Sequence, residues 1–239
     1  MATDTPIKAA FDKWKDGINK AVGDSRWDAY DGEVRTAVSE FNQHLHSTPG
    51  YRQLDWLLIK AMLWTESGAS NPEWRTKPMQ IGVAGDAGLA SFLSDREGGE
   101  MIAPPKWRGR LTTGTVRSMP AHNIRAGIGY LLMRMANFEF QSVLATDAKA
   151  ILEVTIKSGD SLAKIAKAQG STPEIMKKLN PASAVLRSGQ ILKFQKGSVQ
   201  RVITGWRQIT TDQIARRYNG GGDPRYGQKL DYVLGLLRK

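Results

Sequence analysis

From Leu54 to Trp64 the chain reads LDWLLIKAMLW, and Trp56, Leu57, Leu58, Ile59, Ala61, Met62 and Leu63 cover nearly the whole circumference of a helix rather than one stripe. A helix that is apolar all round has no face to offer water, so this one is expected to be central and buried. It ends in Glu66-Ser67-Gly68. Upstream, Ile7, Phe11, Trp14 and Ile18 recur at helical spacing with Thr5 as N-cap and Pro6 in the first turn, and Val34, Val38, Phe41 and Leu45 repeat the pattern. Residues 69–119 are rich in Gly, Pro, Ser and charge and predict ordered loops with at most a short helical turn. Residues 123–144 are expected to be helical again, and two helices close the chain.

Composition narrows the chemistry. At 239 residues with 41% hydrophobic content, the chain can build one sizeable core or a larger domain carrying a small one. It has no cysteine, which removes disulfides, thiolate metal sites and a Cys nucleophile. Imidazole comes only from His44, His46 and His122, and the His44-Leu45-His46 spacing is wrong for a helical metal pair, so neither metal nor cofactor is expected. A formal net charge of +11 favours a polyanionic partner: nucleic acid, an acidic membrane surface or an anionic wall. No motif supports nucleic acid, and Gly220 to Gly222 lack the Lys-Ser/Thr of a phosphate loop. The first twenty residues carry Asp4, Asp12 and Asp16 and no apolar run, so no secretory signal is expected there, and no segment predicts a membrane span.

Glu66 stands out on physical grounds. An acid that closes a strongly apolar helix faces the negative end of the helix dipole, which favours its protonated form, and burial acts in the same direction. A carboxyl held protonated near neutral pH is what a general acid needs to protonate a glycosidic oxygen.

Residues 153–196 form a pattern of their own: β-like Val154-Thr155-Ile156, a turn at Ser158-Gly159-Asp160, helical Leu162 to Ala168, a break at Gly170, helical Pro173 to Leu179, and a strand from Gln190 to Phe194. Asp160 or Ser161 can cap the first helix, Thr172 with Pro173 starts the second, and Asn180-Pro181 stops it. Lys and Arg outnumber acids here by eight to three. Through Val154 to Leu162, Ile165-Ala166, Leu179-Asn180-Pro181 and Leu186 to Leu192, this segment resembles LysM, a fold that recognises glycans containing N-acetylglucosamine. The resemblance implies a sugar groove between Gly159, Asp160, Ser161 and Leu162 on one side and Asn180, Pro181 and Leu186 on the other. Few aromatic residues are present to stack on sugar, so one copy is expected to bind weakly.

The remainder resembles the lysozyme-like fold of soluble lytic transglycosylases and goose-type lysozymes, through Trp64 to Gly68, Lys77 to Gly82, Asn123 to Leu131, and Ala215 to Gly222. The resemblance makes Glu66 the catalytic acid and places Tyr218 beside it as an orienting group. It gives Ser67 and Gln80 to sugar binding, with Ile81, Asn123, Tyr130 and Asn219 along the same cleft, although Asn123 also suits a helix N-cap and Ile81 suits packing beneath the cleft. Transglycosylases of this kind use one Glu as acid and then as base on the C6 hydroxyl of muramic acid. A hydrolase would need a second carboxylate, for which Asp86, Asp95, Glu97 and Glu100 are in range and Asp86 is the first choice. Asp86 within Gly85-Asp86-Ala87-Gly88 serves equally well as a turn former. Lys77-Pro78 departs from the family's small residue and Leu before Met-Gln, and the LysM segment interrupts the domain where the family carries it at one end.

The expected fold class is therefore mainly α: a lysozyme-like helical domain with an inserted small α+β (β-α-α-β) LysM module. The expected division is an N-terminal helical segment (1–50), a catalytic domain in two parts (51–150 and 200–239) and the module (152–196). The expected function is a lytic transglycosylase acting between N-acetylmuramic acid and N-acetylglucosamine. A hydrolysing muramidase or phage lysis enzyme of the same fold, and a glycan-binding protein without turnover, are the alternatives. The expected partners are peptidoglycan strands, with a cognate immunity protein and a secretion-apparatus component if the chain is an antibacterial effector of the type VI kind. In that setting it is made in the cytoplasm and acts in the periplasm of a target cell.

Overall fold

A computed structural model describes residues 4–94, 96–183 and 185–239, with side chains from residue 9 onward. Asp95 and the side chains of Thr5, Pro6 and Ile7 lie outside the described residues. The helices are α1 (Asp4–Ala21), α2 (Asp31–Leu45), α3 (Trp56–Glu66), α4 (Ala87–Leu93), α5 (Gly99–Ile102), α6 (Thr113–Ser118), α7 (Pro120–Met135), α8 (Leu162–Ala168), α9 (Pro173–Leu179), α10 (Thr211–Arg217) and α11 (Tyr226–Leu237). The strands are β1 (Ala136–Leu144), β2 (Leu152–Thr155), β3 (Ile191–Phe194) and β4 (Gly197–Trp206), with β1 paired to β4 and β2 to β3. The chain divides into two compact units: unit 1 runs to Asn137 and resumes at Ile203, and unit 2 is Phe138–Val202. None of the described helices is long and apolar enough to cross a membrane.

Unit 1 is built around α3. The Asp55 carboxylate accepts from Leu57 N at 3.0 Å and so starts the helix at Trp56, two residues after the apolar run begins. Leu58, Ile59, Ala61, Met62, Leu63 and Trp64 are all buried, against α11 and α2 among others. At roughly 1.5–3 kcal/mol for each large side chain withdrawn from water, this one helix is a main source of the unit's stability. Lys60 shares that burial, and its ammonium is satisfied by Asp28 at 2.6 Å and Asp31 at 2.8 Å. The second buried spine, α7, packs on α2, α4, α5 and α6. Its Arg125 bonds Glu33 and Glu40 and lies over the Trp107 ring, with the guanidinium carbon 4.0 Å from the ring centroid.

Three expectations are corrected here. α1 already runs from Asp4, so Thr5 lies within its first turn rather than preceding it. Residues 69–119 hold α4, α5 and α6 rather than loops with a single turn. These helices are four to seven residues long, too short for an apolar period to show, and two of them are set by local caps at Asp86 and at Thr112 with Thr115. The helix expected to reach Leu144 stops at Met135 and continues as β1. Asn137-Phe138-Glu139-Phe140 alternates polar and aromatic residues, which suits an extended strand, and Phe140 is left 68% exposed.

In unit 2, β2 and β3 pair antiparallel with Leu152 opposite Phe194 and Thr155 opposite Ile191. α8 and α9 pack over them around Ile156, Ile165, Ala166, Met176, Leu192 and Phe194. Ser161 caps α8 through Lys164 N at 3.3 Å, and Thr172 caps α9 through Ile175 N at 3.2 Å, with Pro173 in the first turn of α9.

Candidate active site

The site grows from the C-terminal end of α3. Helix hydrogen bonding stops when Ser67 N and Gly68 N both donate to Leu63 O, at 3.2 and 3.1 Å. Gly68 has φ +67°, and a Cβ there would run into the Trp27 ring, so the turn after Glu66 demands glycine. Glu66 is left at the mouth of the core, partly exposed, while the helix behind it is buried. Its carboxyl is pushed up to about 7, by burial first and also by Asp223 and Asp86, against the opposing Tyr226 hydroxyl and Lys229. Desolvation is thus the leading cause.

Tyr226, the first residue of α11 and only 3% exposed, donates its hydroxyl to Glu66 Oε1. This corrects the role given to Tyr218. The Tyr218 hydroxyl donates instead to Met79 O at 3.0 Å. Tyr218 remains a near neighbour, because burial first and then the charges of Glu66 and Asp86 hold its phenol well above the ordinary range. Tyr130 packs against it with ring centroids 5.5 Å apart.

Pro78 to Gly82 form a backbone shelf held at nearly every residue. Ser67 Oγ donates to Pro78 O at 2.8 Å, which occupies a hydroxyl assigned to sugar. Asn123 accepts from Met79 N at 2.9 Å and donates to Ile81 O at 2.9 Å and Val116 O at 3.0 Å. Asn123 lies inside α7 with 0% exposure, so it is neither an N-cap nor a sugar ligand. Ile81, at 2% exposure, is likewise core rather than cleft lining. Gln80 stands at the outer turn of this shelf with φ 52°, a left-handed conformation that a non-glycine residue holds only when its surroundings impose it, and its Nε2 donates to Lys77 O at 3.0 Å.

Asp86 is the N-cap of α4. Its two oxygens accept from Gly82 N at 2.5 Å and Gly88 N at 2.6 Å, so each already has a backbone donor. Glu97 lies 3.7 Å from Arg134, and Glu100 is on α5; neither is among the main groups acting on Glu66. Asn219 accepts from Asp223 N at 2.8 Å, and Asp223 bonds Lys229 at 2.7 Å, which fixes the turn leading into Tyr226. Glu66, Asp86, Tyr130 and Tyr218 are therefore brought together, whereas Ile81 and Asn123 are buried beneath them. Among the described residues no group of three or more His, Asp or Glu is placed to hold a metal. His44 Nε2 bonds Met101 O at 2.9 Å, and His46 Nδ1 bonds Gln43 O at 2.7 Å.

In unit 2, Gly159 takes φ +81° in the turn before α8, and Asp160 Oδ2 closes that turn on Lys157 N at 2.8 Å. Asn180 donates to Met176 O at 2.8 Å and Lys193 O at 2.7 Å and accepts from Lys193 N at 2.9 Å, tying α9 to β3. Leu162 and Leu186 are partly buried against the unit's core, and Pro181 is exposed. Asn180 and Asp160 are thus engaged in holding the two loops.

Residues 154–194 match the family model of the LysM domain. No curated protein and no solved structure matches the chain.

Proposed function

We propose that unit 1 cleaves the glycan strands of peptidoglycan as a lytic transglycosylase and that unit 2 holds the chain on its substrate. The observation that carries this reading is the state of Glu66: a partly exposed carboxyl with a pKa of about 7, whose Oε1 is held by the Tyr226 hydroxyl. Oε2 is then the oxygen that presents the proton. Glu66 Oε2–H protonates the glycosidic oxygen as the bond from C1 of muramic acid breaks. The resulting carboxylate takes the proton of the C6 hydroxyl as that oxygen bonds to C1, leaving a 1,6-anhydro product and restoring the acid. The backbone contacts of Asp86 favour this single-acid route over hydrolysis.

A hydrolysing muramidase is the second reading, favoured by one observation: Asp86 is close enough to raise Glu66 and could polarise a water. LysM domains bind glycan strands, and the match over 154–194 supports that role for unit 2. A weak module of this kind raises the local concentration of scissile bonds. We further propose delivery into the periplasm of a rival bacterium, as an antibacterial effector countered by an immunity protein.

The deciding experiment is mass spectrometry of muropeptides released from purified peptidoglycan. Products ending in 1,6-anhydromuramic acid, absent with Glu66→Gln, are expected; reducing ends carrying an added water would make the enzyme a muramidase. No release by the native chain would leave only glycan binding. For delivery, the chain directed to a bacterial periplasm by an added signal peptide is expected to lyse the host, and Glu66→Gln to spare it.

A further inference from the structure

Resting on that reading of unit 1, we propose that Arg134, Arg207 and Arg217 form a subsite for a carboxylate of the substrate, supplied by the peptide stem carried on muramic acid. The three arginines converge on one place from separate elements. Arg134, in the last turn of α7, donates Nε to the carbonyl of Arg217, the last residue of α10, at 3.3 Å. Arg207 N donates to Met135 O at 2.9 Å and its Nη1 to Ala136 O at 2.9 Å, which sets it over the same end of α7. Arg217 Nε bonds Gln213 Oε1 at 3.1 Å.

A cation at the end of a helix is ordinary, since it complements the dipole. That accounts for one guanidinium at each helix end but not for three sharing a corner. Partial burial and the nearness of Arg217 and Arg134 both depress the Arg207 pKa, the mark of cations held against their mutual repulsion. Arg134 also faces Glu97 at 3.7 Å, a loose pair with the two side chains 40% and 51% exposed. Each guanidinium has five N–H donors and these contacts use few of them, so a carboxylate could be gripped by the remaining forks.

The corner is also connected to Glu66 through a row of rings. Arg134 is one helical turn beyond Tyr130 on the same face of α7, and the Tyr130 ring packs on Tyr218, beside Glu66.

The test measures binding by calorimetry in a Glu66→Gln background, so that ligand is not consumed. Two ligands are compared, a tetrasaccharide with its peptide stems and the same tetrasaccharide with the stems removed. Arg134→Gln with Arg217→Gln is expected to weaken the stem-bearing ligand about tenfold, the scale of one lost charge-assisted contact, and to leave the bare glycan unchanged. Glycan held by unit 2 cancels, because only the change on substitution is read. Arg217→Lys, which keeps the charge and loses the fork, is expected to fall between and guards against misfolding of the double variant. Equal weakening of both ligands, or no change in either, overturns the subsite alone. Binding of neither ligand by the parent overturns the glycan reading and the subsite with it.

Discussion

At the residue scale, the proton on Glu66 links the proposed catalysis to stability. Its pKa of about 7 in the folded chain, against an ordinary 4.5, means that the native state binds this proton more tightly than the unfolded state. Stability contributed by the proton is therefore fully present below about pH 4.5 and lost as pH rises through about 7. Glu66→Gln, which never ionises, is expected to match the native chain near pH 4 and to exceed it by up to about 3 kcal/mol at pH 8.5, read from denaturant unfolding at both values. No gain at high pH would mean that the carboxyl is not desolvated as described. The proposed activity needs the acid form, so its rate should fall above about pH 7. The Tyr226 hydroxyl favours the ionised form, so Tyr226→Phe should move that alkaline limb upward while slowing turnover at pH 6 by roughly tenfold. A tyrosine that only fills space would slow the proposed reaction without moving the limb. Glu66 was legible in the sequence because the apolar helix before it dictates its burial. Tyr226 was not, because its spacing with Leu230, Val233 and Leu234 reads as a core stripe and its partner lies 160 residues away.

At the element scale, the shelf from Pro78 to Gly82 lies against Ser67 and Tyr218 beside the candidate site, and it is held by side chains rather than by secondary structure. Asn123 makes two of those contacts from inside α7 and a third to Val116 O of α6, and no water can replace them at 0% exposure. Gly127, one turn further on, admits Met79, since a Cβ there would come within 2.7 Å of the Met79 side chain. Asn123→Ala leaves the Met79 N–H and the Ile81 carbonyl without their partner and should cost about 2–4 kcal/mol, measured by thermal or denaturant unfolding. A loss below about 0.5 kcal/mol would show that the shelf finds other partners. The long elements α2 and α11 are readable from an apolar period that repeats over several turns, and α3 from an apolar run that covers the whole helix. α4 to α6 are too short for a period and depend on caps, and the change from α7 to β1 follows from a strand pairing with β4, which no local window contains.

At the scale of the whole molecule, unit 2 enters and leaves unit 1 at adjacent points. Thr204 Oγ1 reaches Asn137 O at 3.4 Å, and Arg207 N reaches Met135 O at 2.9 Å, so the two ends of the gap in unit 1 are already side by side. Closing that gap with a short glycine-serine linker in place of residues 138–202 asks for little loop entropy. Each unit also has its own apolar core, around α3 in one and around Met176 and Leu192 in the other. The shortened chain is therefore expected to unfold cooperatively and to cleave soluble glycan fragments at a kcat within about twofold of the full chain, since every group around Glu66 belongs to unit 1. On insoluble wall the two should part, because tethering multiplies encounters without changing the chemical step. Roughly tenfold slower solubilisation by the shortened chain is expected at low enzyme concentration, and the gap should narrow as enzyme is raised. Measuring turbidity loss beside fragment turnover separates the possibilities. Equal rates on wall would assign unit 2 some task other than anchoring, and loss of fragment turnover in a well-folded shortened chain would mean that unit 2 contributes to the chemistry at Glu66.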